Sequence, residues 1–194
     1  MINKDLIKQL IAEYQRLVKN VQLIERDLQI EDELNYVFVG LRRAGKSYLM
    51  FQQIQKLLKN RHSIDEILYF NFEDDRLAAL CTTDLDLIKI CYEEMYNHKP
   101  IFFLDEIQIV PNWEKFARRL ADQNYRVFIT GSNAKMLSSE IATTLGGRYM
   151  VRNVYPFSLK ELLKSKGIDN NDKNFIYRFR TDINKIFEDS ELLT

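Results

Sequence analysis

Glycine, lysine and serine residues between positions 40 and 47 occur at a spacing that can bind phosphate. The segment Gly40-Leu-Arg-Arg-Ala-Gly-Lys-Ser47 matches the pattern G-x-x-x-x-G-K-[S/T] at every fixed position. Its glycines allow the backbone to curl so that consecutive N–H groups point at one anion. Lys46 can then reach the outer phosphates as a point charge, and the Ser47 hydroxyl can bind Mg²⁺. We call residues 40–47 the phosphate loop.

The sequence on either side of the phosphate loop supports this interpretation. The apolar run Val37-Phe38-Val39 is typical of a strand, and a helical pattern follows the loop. A helix that begins near Gly45 would add its N–H groups and the positive end of its dipole to the anion site. The alternative is a tight strand-to-helix turn in which Gly-Lys-Ser occurs by chance. The residues that we expect to bind a nucleotide are Gly40, Arg42, Arg43, Ala44, Gly45, Lys46, Ser47 and Tyr48.

A pair of acidic residues at the end of a predicted strand forms a second candidate site. The run Ile101-Phe-Phe-Leu104 is entirely apolar, and Asp105 and Glu106 follow it directly. Because the first charges appear at the end of the strand, we expect Asp105 to hold Mg²⁺ and Glu106 to polarise an attacking water. The alternative is an acidic turn after a core strand. A distance of about 60 residues from the phosphate loop favours the catalytic interpretation.

Polar side chains also follow the fourth and second predicted strands. The fourth strand leads to Ser132 and Asn133, and either could hydrogen-bond a phosphate oxygen or the attacking water. Both residues also suit a turn and an N-cap, and the two roles are compatible. The second strand leads to Asn71 and Glu73, which could approach the nucleotide. The alternative there is a solvated strand end at which Arg76 neutralises the acids.

Arg148 is a further candidate because it follows two glycines at the end of a short predicted helix. A guanidinium group can stabilise the charge that develops on a transferred phosphoryl group. Such an arginine can act in its own subunit or in the site of a neighbour. The alternative is a surface arginine that starts the fifth predicted strand.

The chain divides into three predicted segments, which are residues 1–34, 35–166 and 167–194. Apolar residues recur at three- and four-residue spacing over residues 5–28, which predicts one long amphipathic helix followed by a polar linker. We expect this helix to pack on its own domain, and a contact with a second copy or a protein partner is the alternative. The middle segment is the predicted nucleotide-binding core, and the last one is a polar linker with a short helix.

The composition restricts the partners of the chain. Its 28 basic and 28 acidic residues cancel, so no global positive field would attract nucleic acid or an anionic membrane. Basic runs at 118–119 and 173–180 are a weaker basis for a DNA contact, and a solvated face is the alternative. The two cysteines and two histidines lie far apart, which argues against a zinc site or a disulfide framework. Because no apolar run approaches a membrane span, we expect a soluble, cytoplasmic protein.

Several motifs occur together in a specific order. Beside the phosphate loop they are Asn71-Phe-Glu-Asp-Asp-Arg76, Leu104-Asp-Glu-Ile-Gln108 before Trp113-Glu-Lys-Phe116, Thr130-Gly-Ser-Asn133, Leu137-Ser-Ser139 with Gly147-Arg148, and Pro156-Phe-Ser-Leu-Lys-Glu161. With this set, over roughly residues 5–167, the chain resembles the prokaryotic AAA-superfamily ATPases that carry a C-terminal domain of unknown function. Members of that group continue with a helical domain, whereas about thirty residues follow the last motif here. We therefore expect a truncated piece or a shortened relative.

The resemblance implies an α/β fold, namely a three-layer αβα P-loop NTPase core with a five-stranded parallel sheet in the order 5-1-4-3-2. It also implies the roles of individual residues. These are Lys46 and Ser47 as ligands of phosphate and Mg²⁺, Asp105 and Glu106 as the second acidic motif, Asn133 as the sensor position, and Arg148 as a candidate arginine finger.

Two hypotheses of function follow from these residues. The first is a Mg²⁺-dependent ATPase, slow in isolation, in which Ser47 and Asp105 position the metal and Glu106 activates water. The resemblance favours ATP, and the sequence contains no Asn-Lys-x-Asp stretch, the guanine-reading signature of small GTPases. The second hypothesis is a nucleotide-dependent switch with little turnover. Such a switch would contact a protein partner through the N-terminal helix, or DNA.

Overall fold

A five-stranded parallel sheet forms the centre of the fold in the computed structural model, which describes residues 2–31, 33–132 and 140–165. The strands are β1 (Asn35–Val39), β2 (Ile67–Asn71), β3 (Ile101–Asp105), β4 (Val127–Gly131) and β5 (Tyr149–Asn153). Their order is β2-β3-β4-β1-β5, and every neighbouring pair is parallel. The predicted order, 5-1-4-3-2, is therefore confirmed.

Both faces of the sheet are covered, as the three-layer prediction requires. Successive residues of a strand point to opposite faces, and β3 and β4 are buried at every position. This burial explains why their sequences are nearly continuous apolar runs. Because all five strands run in the same direction, the segments that follow them leave the sheet at one edge. We call this edge, next to Val39, Asp105 and Gly131, the carboxyl edge.

Helices precede, connect and follow these strands. Within the described ranges they are α1 (Lys4–Asn20), α2 (Lys46–Lys59), α3 (Leu85–Met95), α4 (Trp113–Asp122), α5 (Glu140–Thr144) and α6 (Leu159–Ser165). The spacing of apolar residues explains the orientation of each longer helix. In α4, for example, Trp113, Phe116, Ala117 and Leu120 are buried, and they share one face of a 3.6-residue repeat.

Helix α1 is shorter than its apolar pattern predicts, since it ends at Asn20 rather than near residue 28. Val21 already has an extended backbone, and the last carbonyl groups of the helix are bonded by another element. The amide of Gln55 on α2 donates to the carbonyl oxygens of Val18 at 3.3 Å and Val21 at 2.9 Å. A side chain from α2 therefore satisfies the end of α1, and the apolar residues beyond it pack without helical structure.

The described residues divide into two compact units. The first consists of residues 2–23 and 28–156 and contains the whole sheet. The second includes residues 24–27 and 157–165. The predicted C-terminal linker and helix, residues 167–194, lie outside the described residues. No helix in the described part of the chain is long and apolar enough to span a membrane.

Charged and aromatic side chains hold the described part of the second unit together. Arg26 Nε lies 2.9 Å from Glu161 Oε1, and its guanidinium group stacks on the ring of Phe157. The Ser158 N–H donates to Glu161 Oε2 at 2.8 Å, and the Glu161 N–H donates to Ser158 Oγ at 3.3 Å. These bonds form the capping box that the sequence predicts at the start of α6.

The apolar face of α1 packs on its own domain and carries one buried polar residue, Gln15. The Gln15 amide donates to the carbonyl oxygens of Ile64 at 3.0 Å and Ile67 at 3.1 Å, and it accepts a bond from the Tyr96 hydroxyl at 2.8 Å. These contacts join α1 to the start of β2 and to the end of α3. The remaining buried residues of α1 are Ile7, Leu10, Ile11, Tyr14 and Val18.

We expect Gln15→Leu to lower the free energy of unfolding by about 1–3 kcal/mol, because one buried and two partly buried polar groups lose their partner. The matched control is Gln9→Leu on the exposed face of α1, which we expect to change stability by less than about 0.5 kcal/mol. Urea unfolding followed by circular dichroism gives both values. Equal midpoints for the two variants would contradict this account of how α1 is fixed.

Asp74 forms a second anchor of α1, beyond the end of β2. It accepts bonds from the Tyr14 hydroxyl at 2.7 Å and from Arg76 Nη2 at 2.9 Å. Arg76 also bonds Glu13 on α1 at 2.8 Å. The hydrogen bonds from Arg76 and Tyr14 outweigh the effect of burial and lower the pKa of Asp74 from 3.8 to about 2.

This pKa predicts how stability depends on pH. A depressed pKa stabilises the folded state above pH 3.8, and that contribution is lost as the pH falls through about 2. We expect Asp74→Asn to lower the free energy of unfolding at pH 7 by about 1–2 kcal/mol, a value reduced for the partial exposure of Arg76. The difference from the unsubstituted chain should shrink in urea titrations below pH 4. Asp75→Asn, at an exposed neighbour, should show no such trend.

Candidate nucleotide-binding site

The phosphate loop lies at the carboxyl edge, between the end of β1 and the start of α2. Gly45 has a left-handed backbone with φ of 88°, which glycine adopts without steric cost. Gly40 is required for a different reason: a Cβ atom there would lie 2.2 Å from the carbonyl oxygen of Val154. The segment after β5 therefore presses against the start of the loop. Both glycines allow backbone geometry that a larger residue would disturb.

Lys46 points into the protein rather than into solvent and is only 4% exposed. Its ammonium group donates to the carbonyl oxygen of Leu41 at 3.1 Å and lies 3.2 Å from Glu106 Oε1. A buried ammonium group is costly unless it is paired. The loop and the acid at the end of β3 therefore meet through one ion pair.

Asp105 is a buried carboxylate, 2% exposed, that is surrounded by hydroxyl groups. The Tyr69 hydroxyl donates to Oδ2 at 2.6 Å, and the Thr130 hydroxyl donates to Oδ1. Burial raises the pKa of the Asp105 carboxyl above its usual value, although the hydroxyl groups of Thr130, Tyr69 and Ser47 act in the opposite direction. The serine of the phosphate loop therefore lies close enough to the first acid of the site to affect its pKa.

Glu106 has its backbone and its side chain fixed separately. Its φ is 55°, a left-handed value that costs about 1–3 kcal/mol for a residue with a side chain, and its N–H donates to Thr130 Oγ1 at 2.8 Å. Oε2 accepts bonds from Ser132 Oγ at 2.7 Å and from the Gln108 amide. Burial acts to raise the pKa of Glu106, but these bonds and the charge of Lys46 outweigh it and lower the pKa. The carboxylate is therefore ionised at neutral pH.

A pocket of about 750 Å³ opens onto Lys46 and Glu106. Six of the eight residues expected to bind a nucleotide line it, together with Glu73 and Glu106. The six are Arg42, Arg43, Gly45, Lys46, Ser47 and Tyr48. At the rim, Arg42 Nη2 lies 2.5 Å from Glu73 Oε1, so the weakly predicted Glu73 does reach the pocket. The positive side chains and backbone N–H groups of this pocket suit an anionic ligand.

Arg148, the candidate arginine finger, lies away from this pocket. Arg148 directly precedes β5, so it lies at the amino-terminal ends of the strands, opposite the carboxyl edge. Its guanidinium group lies there 2.5 Å from Asp122 Oδ1. Its own subunit's pocket is therefore out of reach, and a role in a neighbour's site remains a prediction. Asn133 lies outside the described residues. Of the basic runs considered for DNA, Arg119 pairs with Asp86 at 2.6 Å, and residues 173–180 are not described.

Sequence reasoning missed the residues that support the two acids. Thr130 and Tyr69 belong to strands that resemble ordinary core strands, and Gln108 was noted only as part of a motif. A hydroxyl group inside an otherwise apolar strand, as at Thr130, is the signal that could have identified one of them. Such a group must find a partner when it is buried. Here it donates to the Asp105 carboxylate and accepts a bond from the Glu106 backbone N–H.

A parallel sheet in this order, with a phosphate loop after β1 and two acids after β3, defines a nucleotide-binding domain of the P-loop class. Residues 32–163 match the family model described as AAA domain, which covers more than half of the chain. The protein therefore belongs to the AAA domain family.

Relatives of the chain are known from an archaeon and a bacterium. Over 173 residues, 87% of this chain, it is 42% identical to the uncharacterized protein MJ1544 of Methanocaldococcus jannaschii, of which the match covers 38%. Over 161 residues, 81% of this chain, it is 34% identical to an uncharacterized protein of Haemophilus influenzae, of which the match covers 40%. The chain thus spans about two fifths of the length of these relatives. Their names state no activity.

We expect the Thr130 hydroxyl to stabilise the site measurably. Thr130→Val keeps the shape but leaves the Glu106 N–H and Asp105 without their bond, which should lower the free energy of unfolding by about 1–3 kcal/mol. Thr130→Ser keeps the hydroxyl and removes one methyl group, at a cost of about 1 kcal/mol or less. Chemical unfolding of both variants provides the comparison. If the valine variant is at least as stable as the serine variant, the hydroxyl does not support the two acids.

Proposed function

We propose that the chain binds Mg·ATP in the phosphate loop and hydrolyses it slowly, with Glu106 activating the attacking water. The observation that carries this proposal is the meeting of four groups at the carboxyl edge. Lys46 is paired with Glu106, and Ser47 lies close enough to Asp105 to affect its pKa. Two of these groups suit phosphate and metal binding, and two are carboxylates with different environments. Such an arrangement is suited to phosphoryl transfer to water.

The phosphate loop supplies the groups that bind the triphosphate. Its backbone N–H groups and the start of α2 favour an anion, and Lys46 supplies a full positive charge. Lys46 now bonds a carbonyl oxygen and a carboxylate, so phosphate oxygens would replace partners of the same kind. The aromatic ring of Tyr48 and the guanidinium group of Arg43 line the same pocket and are available to the rest of the nucleotide.

The oxygen donors at the site fit Mg²⁺. Asp105 offers a carboxylate and Ser47 a hydroxyl, and Mg²⁺ commonly combines one or two such protein ligands with phosphate oxygens and waters. Within the described ranges, no three His, Cys, Asp or Glu residues converge to hold a metal without a nucleotide. When bound, Mg²⁺ would neutralise charge that develops on the phosphates.

The environment of Glu106 suits a residue that orients and polarises water. Its pKa is lowered, so the carboxylate is ionised and can accept a proton or a hydrogen bond. Ser132 and Gln108 fix one of its oxygens, which leaves the other toward Lys46 and the pocket. The AAA resemblance favours ATP over GTP as the substrate.

A nucleotide-dependent switch with little turnover is the second candidate. The observation that favours it is that both carboxylate oxygens of Glu106 already have partners, namely Lys46, Ser132 and Gln108. A base held in this way activates water poorly until one of those bonds is released. A protein partner of such a switch would contact the polar face of α1, because the apolar face of this helix is buried.

We expect Glu106→Gln to reduce hydrolysis about 10²–10⁴-fold and to leave ATP bound, because the amide cannot accept a proton. The control is Glu73→Gln, a second pocket carboxylate, for which we expect a loss of less than about tenfold. Phosphate release at saturating Mg·ATP and equilibrium dialysis with ATP provide the two readouts. Hydrolysis at an undiminished rate in the Glu106 variant would show that another group acts as the base.

A further inference from the structure

Tyr69 connects Asp105, the candidate metal ligand, to β2, one of the two edge strands of the sheet. It lies on β2, next to β3, and its ring is almost completely buried. Its hydroxyl group donates to Asp105 Oδ2 at 2.6 Å. The Thr130 hydroxyl, from β4 on the other side of β3, donates to Oδ1. Both carboxylate oxygens are therefore held by hydroxyl groups from the two neighbouring strands.

Aromatic rings from two helices fix the position of the Tyr69 ring. The ring of Tyr14 on α1 meets it edge-on at a centroid distance of 5.5 Å, and Phe51 on α2 lies 5.1 Å away. Tyr14 is itself anchored by its bond to Asp74. Because the ring is enclosed on these sides, its hydroxyl has little freedom to leave Asp105.

We propose that Tyr69 is a positioning residue for Asp105, which it orients toward Ser47 and the metal ion of the bound nucleotide. This inference rests on the proposed binding of Mg·ATP. A carboxylate with both oxygens bonded cannot rotate, so its remaining lone pairs face a fixed direction. Hydrogen-bond partners of a metal ligand commonly change metal affinity by 10–100-fold when they are removed. Tyr69 does not line the nucleotide pocket, and its hydroxyl reaches the site only through Asp105.

A second buried tyrosine shows what a purely structural hydroxyl does in this fold. Tyr149, at the start of β5, donates to the backbone carbonyl of Ala117 at 2.7 Å, at the edge of the sheet opposite the phosphate loop. Tyr149 is buried about as deeply as Tyr69, but its partner is a neutral carbonyl rather than the acid of the site. Tyr149 is therefore a matched control for the loss of one buried hydroxyl group.

The test compares Tyr69→Phe with Tyr149→Phe in the full chain. ATP affinity is measured at increasing Mg²⁺ concentrations and in excess EDTA, and the Mg²⁺ concentration for half-maximal effect is recorded. We expect Tyr69→Phe to raise that concentration about 10-fold or more, and Tyr149→Phe to change it less than about twofold. ATP affinity in EDTA should stay within about twofold for both variants, because the phosphate loop is untouched. Circular dichroism confirms that each variant is folded.

Each outcome decides a separate question. If the unsubstituted chain binds no ATP, or binds it without response to Mg²⁺, the proposed function fails. If it responds to Mg²⁺ and Tyr69→Phe responds equally, or if both phenylalanine variants shift alike, Tyr69 is structural only.

Should Tyr69→Phe not fold, the variant Phe51→Leu provides the test, because it keeps the Tyr69 hydroxyl and removes one of the rings that pack against Tyr69. We expect that variant to raise the same Mg²⁺ concentration about threefold, and no rise would overturn the inference.

Discussion

The rest of the site depends on the burial of one carboxylate, that of Asp105. A charge in an apolar sheet is tolerated only when hydrogen bonds replace the water that it has lost. Here the bonds come from β2 and from β4, and Ser47 in the first turn of α2 also favours the ionised form. Meeting this requirement depends on the order of the strands in the sheet. With β3 between β2 and β4, a hydroxyl from each neighbour can reach the same acid.

The two buried charges next to Asp105 are complementary. Lys46 and Glu106 pair across the pocket, so each one lowers the cost of burying the other. The left-handed backbone at Glu106 and the bonds of its side chain to Ser132 and Gln108 hold the carboxylate next to Lys46. Stability elsewhere in the fold compensates for the strained backbone.

The sequence predicts more of the fold and the loop than of the supporting contacts. The phosphate loop and the individual strands follow from local spacing and apolar runs, which are properties of neighbouring residues, whereas the parallel order of the strands was implied by the family resemblance. The end of α1 could not be predicted, since the apolar spacing continues past Asn20 and the capping amide of Gln55 comes from another helix. Tyr69 was missed for a similar reason. Its partner is 36 residues away, and only the pairing of β2 with β3 brings the two together.

The position of β2 at the border of the sheet affects how the protein responds to heat. An outer strand has one neighbour, and such strands open at a lower free-energy cost than central ones. In this fold α1 packs over β2. Partial melting that begins at α1 and β2 would release Tyr69 from Asp105 while the central strands and the phosphate loop stay intact. Warming would then free the Asp105 carboxylate from one of its two neighbouring strands before the centre of the sheet unfolds.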